Sequence, residues 1–403
     1  MKILQVNCVY NTGSTGKIVA DIHQELVQNG VESVVCYGRG KKTNEANICK
    51  TCGELYSKAN NLRSRITGLM YGGCYLSTLR LIAIIKKEKP DIVHLHCING
   101  YFVNIYRLIE FLKVNRINTV LTLHAEFMYT ANCGHALDCD RWQTGCGNCP
   151  RLMQETKSWF FDRTDTSWRK MKAAFDGFDN LIVASVSPWL MERAERSPVL
   201  SDRQHCVVLN GLDTSVFHIQ DSANLRKLHG LKNARIVFHA TPCFSCAPSH
   251  LKGGYYILQL ANRLKTQRDI KILVAGDYPS DMIVPDNMIM LGRISDQNVL
   301  AQYYSMADVT VLTSKKETFS MVCAESLCCG TPVAGFKAGA PEQISLSAYS
   351  EFVAYGNLEA LACAVEKALN AHFSRAAISA DAAKQYSKNS MAEEYRKVYS
   401  RFE

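Results

Sequence analysis

The fold is decided by residues 309–342, which read VTVLTSKKETFSMVCAESLCCGTPVAGFKAGAPE. The first four residues are apolar or β-branched, and they predict a buried strand. Ser320 is a good N-cap residue and Gly330 a good C-cap residue, so we predict a helix over residues 321–329 between them. A strand, a loop and a helix N-terminus in this order form an anion site, because the first amides of a helix point towards a bound phosphate.

Two carboxylates lie beside this helix start, Glu317 in the loop before it and Glu325 about one turn inside it. Carboxylates repel phosphate, but they are strong acceptors for hydroxyl donors. A nucleoside diphosphate that bears a sugar has hydroxyls at both ends and phosphates between them, and it would suit such a site. The alternative is that both residues are solvated charges near an ordinary helix start.

Three segments of this stretch carry a resemblance to a known family. Glu317-Thr-Phe-Ser, Glu325-Ser-Leu-Cys-Cys-Gly-Thr-Pro-Val and Gly339-Ala-Pro-Glu342 are similar to the E-x7-E signature of the retaining GT-B glycosyltransferases of family 4. The resemblance implies that Glu317 holds hydroxyls of the donor sugar and that Glu325 holds the ribose. It also implies the α/β fold called GT-B, in which two Rossmann-like domains with parallel sheets face a cleft. In this fold a C-terminal helix returns to the N-terminal domain.

The resemblance covers nearly the whole chain, and it implies further site residues. Gly16, in the loop NTGSTGK, corresponds to a residue that meets the donor phosphates, and Lys252 to a lysine that binds the diphosphate. The arginine that usually precedes this lysine is missing, so Arg293 is the expected substitute. His124 ends the predicted strand 118–123, close to the donor sugar, but Ala125 replaces the usual Asp after it. The predicted catalytic residues are His124 and Glu317, and the predicted donor-binding residues are Gly16, Lys252, Arg293, Thr318, Phe319, Ser320, Met321 and Glu325.

The length of 403 residues suits two domains of ordinary size. We predict an N-terminal acceptor-binding domain over residues 1–205, a nucleotide-sugar-binding domain over residues 206–385, and a helix over residues 386–403 that packs on the first domain. Residues 125–165 form an insertion into the first domain. The turn Asn210-Gly-Leu-Asp213 resembles the turn that joins the two domains in family 4.

The insertion contains four cysteines within seventeen residues, Cys133, Cys139, Cys146 and Cys149. This spacing predicts a structural zinc site that would hold together an insertion without a core of its own. The alternative is four reduced thiols in a packed loop. We expect catalysis itself to need no cofactor, because no metal-binding DxD of the other glycosyltransferase fold stands at a strand end.

The formal net charge is +9, and residues 37–90 carry most of the excess, with eleven basic and three acidic residues. Apolar residues alternate with these charges, so the segment could lie on an anionic membrane surface. The alternative is a solvated face above ordinary core residues. Arg80 interrupts the best apolar run, and the chain enters a strand without a signal-peptide pattern. We therefore expect a cytoplasmic protein, with peripheral contact at the inner face of the plasma membrane as a further expectation.

The reaction implied by the resemblance is transfer of a sugar from a UDP- or GDP-sugar to a hydroxyl of a glycan or a polyprenyl-linked saccharide, with retention of configuration. The insertion and GSTGKI near the start resemble a bacterial capsule and exopolysaccharide subset, which implies surface polysaccharide biosynthesis. One alternative is a zinc-stabilised nucleic-acid-binding protein, although no helix-turn-helix or RNP-like pattern is present. The other is a nucleotide-sugar epimerase of the same fold. A dehydrogenase is disfavoured because neither half contains GxGxxG followed by an acidic residue.

Overall fold

The computed structural model describes residues 1–402. The chain forms two compact units. The first unit consists of Met1–Asn210 together with the segment that begins at Met391, and the second unit consists of Gly211–Ser390. Each unit contains one parallel sheet with helices between most successive strands, as the α/β prediction requires.

The sheet of the first unit has seven parallel strands in the order β3-β2-β1-β4-β5-β6-β7. The strands are β1 Lys2–Asn7, β2 Glu32–Tyr37, β3 Ile48–Lys50, β4 Ile92–Leu95, β5 Asn118–Leu123, β6 Leu181–Ser185 and β7 Gln204–Val207. The helices are α1 Gly13–Gln28, α2 Glu54–Thr67, α3 Tyr75–Glu88, α4 Ile105–Val114, α5 Phe127–Thr130, α6 Leu152–Glu155, α7 Thr164–Phe175 and α8 Pro188–Glu195. The order reverses between β1 and β4, which is where α/β sheets place their ligands.

The sheet of the second unit has six parallel strands in the order β10-β9-β8-β11-β12-β13. The strands are β8 Arg235–Cys243, β9 Ile270–Asp277, β10 Met288–Gly292, β11 Val309–Leu312, β12 Val333–Phe336 and β13 Ser350–Val353. The helices are α9 Ala223–Leu228, α10 Gly254–Leu264, α11 Gln297–Met306, α12 Met321–Cys328, α13 Pro341–Ile344, α14 Leu358–Asn370 and α15 Arg375–Tyr386. Here the order reverses between β8 and β11, so the predicted strand-loop-helix stretch lies at the reversal.

The last helix, α16, spans Lys388–Tyr399 and ends in a 3-10 turn, Ser400–Phe402. Its apolar face packs into the core of the first unit, where Met391, Tyr395 and Tyr399 share a cluster with Ile3 and Ile18. The prediction that the C-terminal helix returns to the first domain is therefore confirmed.

The apolar strands bury both faces of each sheet, as expected for parallel strands covered by helices. In the second unit β8, β9 and β11 contribute Val237, Ile272 and Val309 to one cluster with Ile257 and Leu260 of α10. Within residues 1–402, no helix combines the length and the apolar composition that a membrane span requires.

Candidate active site

The loop between β11 and α12 begins the site in the second unit. The predicted N-cap is confirmed, because the Ser320 Oγ accepts a hydrogen bond from the amide of Cys323 at 3.4 Å. Ser320 has a φ of +94°, which is uncommon for a residue with a Cβ, and backbone strain of this kind tends to cluster at functional sites. The side chains of Phe319 and Ser320 are buried, so their contact with a ligand would be made by backbone groups.

The structure brings Lys252 and Glu317 together at this loop. The Lys252 Nζ lies 2.6 Å from the Glu317 Oε1, although 65 residues separate them. Gly253 makes the contact possible, because its φ is +66° and a Cβ there would lie 2.0 Å from the carbonyl oxygen of Thr313. Thr313 in turn donates from its Oγ1 to the carbonyl of Lys252 at 3.1 Å. The glycine thus lets the lysine turn pack directly against the end of β11.

A second loop fixes the backbone of Glu317. The amide of Glu317 donates to the carbonyl of Ala338 at 3.0 Å, and the amide of Ala340 donates back to the carbonyl of Glu317 at 3.3 Å. The carboxylate of Glu342 accepts from the amides of Ala338 and Gly339 at 2.9 and 3.0 Å. Glu342 therefore holds the loop that holds Glu317. Glu342 ends the last motif segment, Gly339-Ala-Pro-Glu342, and the motif alone predicted no role for it.

Glu325 lies at a small cavity beside the carboxyl ends of β8 and β9. Its Oε2 accepts a hydrogen bond from the hydroxyl of Tyr304 at 2.9 Å. Burial, and secondly the neighbouring Glu325, raise the pKa of Tyr304 well above its usual value, so this hydroxyl stays a donor. Tyr304 belongs to α11 and was missed by the sequence analysis, since no motif marks it.

The cavity has a volume of about 220 Å³, and Arg293, Thr241, Gly276 and Glu325 are among its lining residues. That volume is below the roughly 300 Å³ of pockets for whole drug-sized ligands, so the cavity suits one part of a larger ligand. The Nη1 of Arg293 lies 3.4 Å from the Oδ2 of Asp277. Arg293 is therefore placed with Glu325 at the cavity, whereas Lys252 is placed with Glu317.

In the first unit His124 follows β5 and contacts a second histidine. Its Nε2 lies 3.2 Å from the Nδ1 of His96, and the His96 Nε2 lies 3.2 Å from the Oε1 of Gln5. With the amide oxygen of Gln5 towards it, His96 carries its proton on Nε2 and accepts from the Nε2 of His124 through Nδ1. The Nε2 of Gln5 has no hydrogen-bond partner, and the reversed amide would donate to His96 and move both protons to Nδ1. Burial lowers the pKa of His124 to about 4, so its ring is neutral at pH 7.

His94 lies in β4, two residues before His96, and packs against the C-terminal helix. Its Nδ1 lies 2.7 Å from the hydroxyl of Tyr399, and its Nε2 lies 2.7 Å from the Oγ1 of Thr122. Burial, reinforced by His124, lowers its pKa well below the usual range. His94 is thus a packed residue of the core, and His96 is the member of the pair that reaches the predicted site residue.

Glu126, which follows the position of the missing Asp, has a structural role. Its carboxylate is buried and accepts from the Nε of Arg193 at 2.6 Å, from the hydroxyl of Tyr129 at 2.5 Å and from the amide of Ala136 at 2.7 Å. The guanidinium of Arg193 also lies 5.0 Å from the centre of the Trp142 ring. The structure therefore assigns Glu126 to the anchoring of the insertion.

Gly16 lies within the first turn of α1, which begins at Gly13, and not in the preceding loop as predicted. Its carbonyl accepts from the amide of Asn11 at 2.9 Å, and a Cβ on Gly16 would lie 3.1 Å from the Val9 Cγ2. The small residue thus lets the loop after β1 fold onto the helix. Contact between Gly16 and a donor stays a prediction.

The insertion has a core of its own, contrary to the reasoning behind the zinc prediction. Trp142 is buried and donates from its Nε1 to the carbonyl of Cys139 at 2.8 Å. Among residues 1–402, no group of three or more Cys, His, Asp and Glu side chains could hold a metal ion. The thiols of Cys133, Cys139, Cys146 and Cys149 nevertheless lie near enough to raise one another's pKa. Zinc binding by these four cysteines stays a prediction. Burial raises the pKa of Cys146 to about 12, as expected of a packed, protonated thiol.

Comparisons with known proteins agree with this geometry. The family described as Glycosyltransferase Family 4 matches residues 15–216, and the family described as Glycosyl transferases group 1 matches residues 244–387. The chain is 23% identical to the "Putative colanic acid biosynthesis glycosyl transferase WcaC" of Escherichia coli (strain K12) over 359 residues, which cover 85% of each chain.

Two solved structures show the fold. The sucrose-phosphate synthase of Thermosynechococcus elongatus superposes with a TM-score of 0.69 at 15% identity, covering 100% of this chain and 99% of that one. HepE of Anabaena, in complex with UDP, superposes with a TM-score of 0.66 at 15% identity and covers 100% of both chains. The architecture of the two Rossmann-like units is therefore that of the GT-B glycosyltransferases.

Proposed function

The chain belongs to glycosyltransferase family 4, and from this premise we propose that it transfers a sugar from a nucleoside diphosphate sugar to a hydroxyl group with retention of anomeric configuration. The observation that carries the proposal is the arrangement in the second unit. The Lys252–Glu317 pair, the start of α12 and the cavity at Glu325 all lie about the carboxyl ends of β8, β9 and β11. The site thus contains a cation and backbone amides for the diphosphate, and carboxylates for the hydroxyl groups at the two ends of such a donor.

We assign the nucleoside to the cavity, where Glu325 would accept from the ribose hydroxyls. Tyr304 donates to one oxygen of this carboxylate, so it fixes the direction in which the other oxygen points. Arg293 lines the same cavity, and it would contact the base or the first phosphate. HepE, which shares the fold, was solved with UDP, so we propose a uridine donor.

We assign the diphosphate to Lys252 and to the backbone amides at the start of α12, with Thr318, Phe319, Ser320 and Met321 in the loop and first turn around it. A helix start adds about half a positive charge. Glu317 would then accept from hydroxyls of the transferred sugar. In the first unit we propose His124, whose ring is neutral, as a hydrogen-bond partner of the donor and Gly16 as a residue that allows its close approach.

The resemblance to the retaining enzymes of the family suggests the chemical step. The bond between the anomeric carbon and the phosphate oxygen breaks, and the acceptor oxygen attacks the same face of the sugar. The acceptor proton passes to the leaving phosphate, so that no protein nucleophile is required. Lys252 and the helix amides stabilise the negative charge that develops on the diphosphate, which is where fixed electrostatic groups lower a barrier.

The acceptor is proposed from the comparison with WcaC, whose name assigns it to colanic acid biosynthesis. We propose a glycan or a polyprenyl-linked saccharide of surface polysaccharide biosynthesis, held by the domain over residues 1–205. The donor would be held by the domain over residues 206–385, and residues 386–403 would support the first domain. The cytoplasmic location stays a prediction.

A thermal-shift panel with UDP, GDP, ADP and their common sugars tests the donor assignment. At a ligand concentration of about 100 Kd, binding to the native state contributes about 2.7 kcal/mol, or roughly 5–10 °C in the melting temperature. We expect one base to give this shift, and Glu325→Ala to abolish it. Glu359→Ala is the matched control, since Glu359 forms an exposed ion pair with Arg263 in the same unit. No shift with any nucleotide, together with tight DNA binding, would reject the transferase in favour of a nucleic-acid-binding protein.

A further inference from the structure

Helix α2 has an inverted distribution of polar and apolar residues. Ser57 and Ser64 are buried, whereas Leu55, Leu62 and Ile66 are 83%, 48% and 42% exposed. Spacings of seven and eleven residues place the three apolar side chains on one stripe of the helix, and the two serines on the opposite side. A helix that served the core alone would bury the leucines and expose the serines. The outer stripe of α2 is therefore apolar for a reason other than folding.

The first turn of α3 extends this apolar face. Leu76 is 69% exposed and Tyr75 lies beside it, also exposed. The two helices are joined here, because the amide of Leu76 lies 3.2 Å from the Tyr56 hydroxyl and the amide of Cys74 donates to the Asn60 Oδ1 at 2.8 Å. The exposed side chains of α2 and α3 thus belong to one surface.

Three consecutive aromatic residues, Trp159, Phe160 and Phe161, complete the surface at the other end of α2. All three are exposed, and Phe160 is 68% exposed. The amide of Trp159 donates to the carbonyl of Arg65 at 2.8 Å, and the carbonyl of Phe161 lies so close to Gly68 that a Cβ there would be 2.3 Å away. The aromatic segment is therefore attached to the C-terminal end of α2. We call the outer face of α2, the first turn of α3 and residues Trp159–Phe161 the docking surface.

The charged side chains that flank the apolar stripe of α2 are positive. On the α2 helix Lys58 and Arg65 lie on one side of the apolar stripe and Arg63 lies on the other. The only acidic residue of α2, Glu54, is paired with Lys50 at 3.1 Å. Long cationic side chains on both sides of an apolar stripe can cover it with their stems while their charges reach outward.

We propose that the docking surface binds an anionic lipid bilayer. Apolar and aromatic side chains would enter the boundary between headgroups and acyl chains, and the cations would contact anionic headgroups. Tryptophan is a residue that membrane interfaces favour. A second copy of the chain is the less suitable occupant, since two such surfaces would bring cations of the same sign together. The proposal rests on the surface alone and not on the transfer reaction.

A recess beside the docking surface supports the same occupant. A cavity of about 920 Å³ lies between α3, α4 and α7, and Tyr75 and Leu79 line it. Its lining also contains one acidic residue, Glu110, and four basic residues, Lys86, Arg107, Lys113 and Lys170. A cationic recess continuous with an apolar face matches a lipid, whose phosphate and acyl chains are joined in one molecule.

Co-sedimentation of the full chain with vesicles tests the proposal. We expect binding to vesicles of phosphatidylcholine with 30% phosphatidylglycerol, much weaker binding to pure phosphatidylcholine, and loss of binding at high salt. Each cation near an anionic surface changes the partition coefficient roughly fivefold, so Lys58→Gln with Arg63→Gln should lower it about 25-fold. Lys265→Gln with Arg268→Gln, two exposed cations of the second unit, is the matched control and should bind as the wild type does.

The apolar part is tested by replacing Trp159, Phe160 and Phe161 with Ala, which should abolish vesicle binding with unchanged circular dichroism. Ile283→Ser is the control, since Ile283 is 92% exposed in the second unit. Vesicle binding that is absent in the wild type, or equal in all variants, would overturn the proposal. A dimer detected by light scattering and lost in the same variants would overturn it in favour of a subunit interface. Thermal shifts with UDP report the donor site separately, so the two proposals can fail independently.

Discussion

Replacing Glu317 by Gln should change the binding of UDP and of a UDP-sugar in opposite directions. In the structure the Glu317 carboxylate is 2.6 Å from the ammonium of Lys252. The diphosphate of a donor would have to compete with this carboxylate for the lysine, and it would also be repelled by its charge. Glu317→Gln keeps the shape of the side chain and removes both effects. The same change weakens the hydrogen bonds that Glu317 would accept from the sugar hydroxyls.

The magnitude follows from the geometry and the exposure of the pair. At 2.6 Å and an effective dielectric constant of 20, the Coulomb attraction is about 6 kcal/mol before desolvation. The side chains of Lys252 and Glu317 are 37% and 20% exposed, and measured ion pairs of this partly solvated kind contribute up to about 1 kcal/mol. Freeing Lys252 should therefore tighten UDP binding by roughly fivefold. Hydrogen bonds to a charged group contribute about 1.5–3 kcal/mol, so binding of the sugar moiety should weaken by more than UDP binding gains.

Calorimetric titrations of UDP and UDP-glucose against wild type and Glu317→Gln measure both effects. Glu351→Gln is the matched control, because Glu351 forms an ion pair of 2.7 Å with Lys367 in the same unit, and it should change neither affinity. Weaker UDP binding by Glu317→Gln would refute the reasoning, since the carboxylate would then support the phosphates and not oppose them. Equal changes in the affinities for UDP and UDP-glucose would show that Glu317 does not contact the sugar.

Three further outcomes are expected. Tyr304→Phe should weaken UDP binding about tenfold in a titration, because Glu325 loses the donor that orients it. Arg193→Met should lower the free energy of unfolding by about 3–5 kcal/mol in a guanidinium titration, since it leaves the buried carboxylate of Glu126 without its cation. Arg203→Met is the control and should lower it by under about 1 kcal/mol, because its partner Asp179 is solvent-exposed. Burial lowers the pKa of His239 to about 4, below its usual 6.5, so between these pH values the unfolded chain binds more protons than the folded chain. The free energy of unfolding should therefore fall by up to about 1.4 kcal/mol per pH unit as the pH drops from 6.5 to 4. Thermal melts at several pH values should show a smaller dependence on pH for His239→Gln.

The second unit shows why part of the site could be predicted. Glu317, Ser320 and Glu325 lie within nine residues, so the preferences of one strand, one loop and one helix start were sufficient to place them. Tyr304 could not be found in this way. It reaches Glu325 only because α11 packs on α12, and nothing in the sequence around it distinguishes its hydroxyl from that of its neighbour Tyr303.

The insertion shows the opposite case. Four cysteines predicted a metal site because their spacing is a local pattern. Contacts between distant residues also hold the insertion, since Arg193 is 67 residues away from Glu126 and its guanidinium packs on Trp142. Spacing gives no information about such partners. The local pattern thus pointed to the cysteines and not to the buried Glu126 and Trp142.

In the first unit the contacts of His96 with Gln5 and His124 depend on the order of the strands more than on any sequence motif. Gln5, His96 and His124 stand on or directly after β1, β4 and β5, which are neighbours in the sheet in that order. In the sequence Gln5 is 91 residues from His96, and His96 is 28 residues from His124. Their contacts can be inferred only when β4 is known to lie between β1 and β5. The orientation of the Gln5 amide then decides which nitrogen of His96 carries the proton, and His96 in turn decides this for His124. A neutral imidazole at the end of β5 is thus held in one tautomer by a residue of the first strand, which is how this sheet can orient a group without the carboxylate that usually follows it.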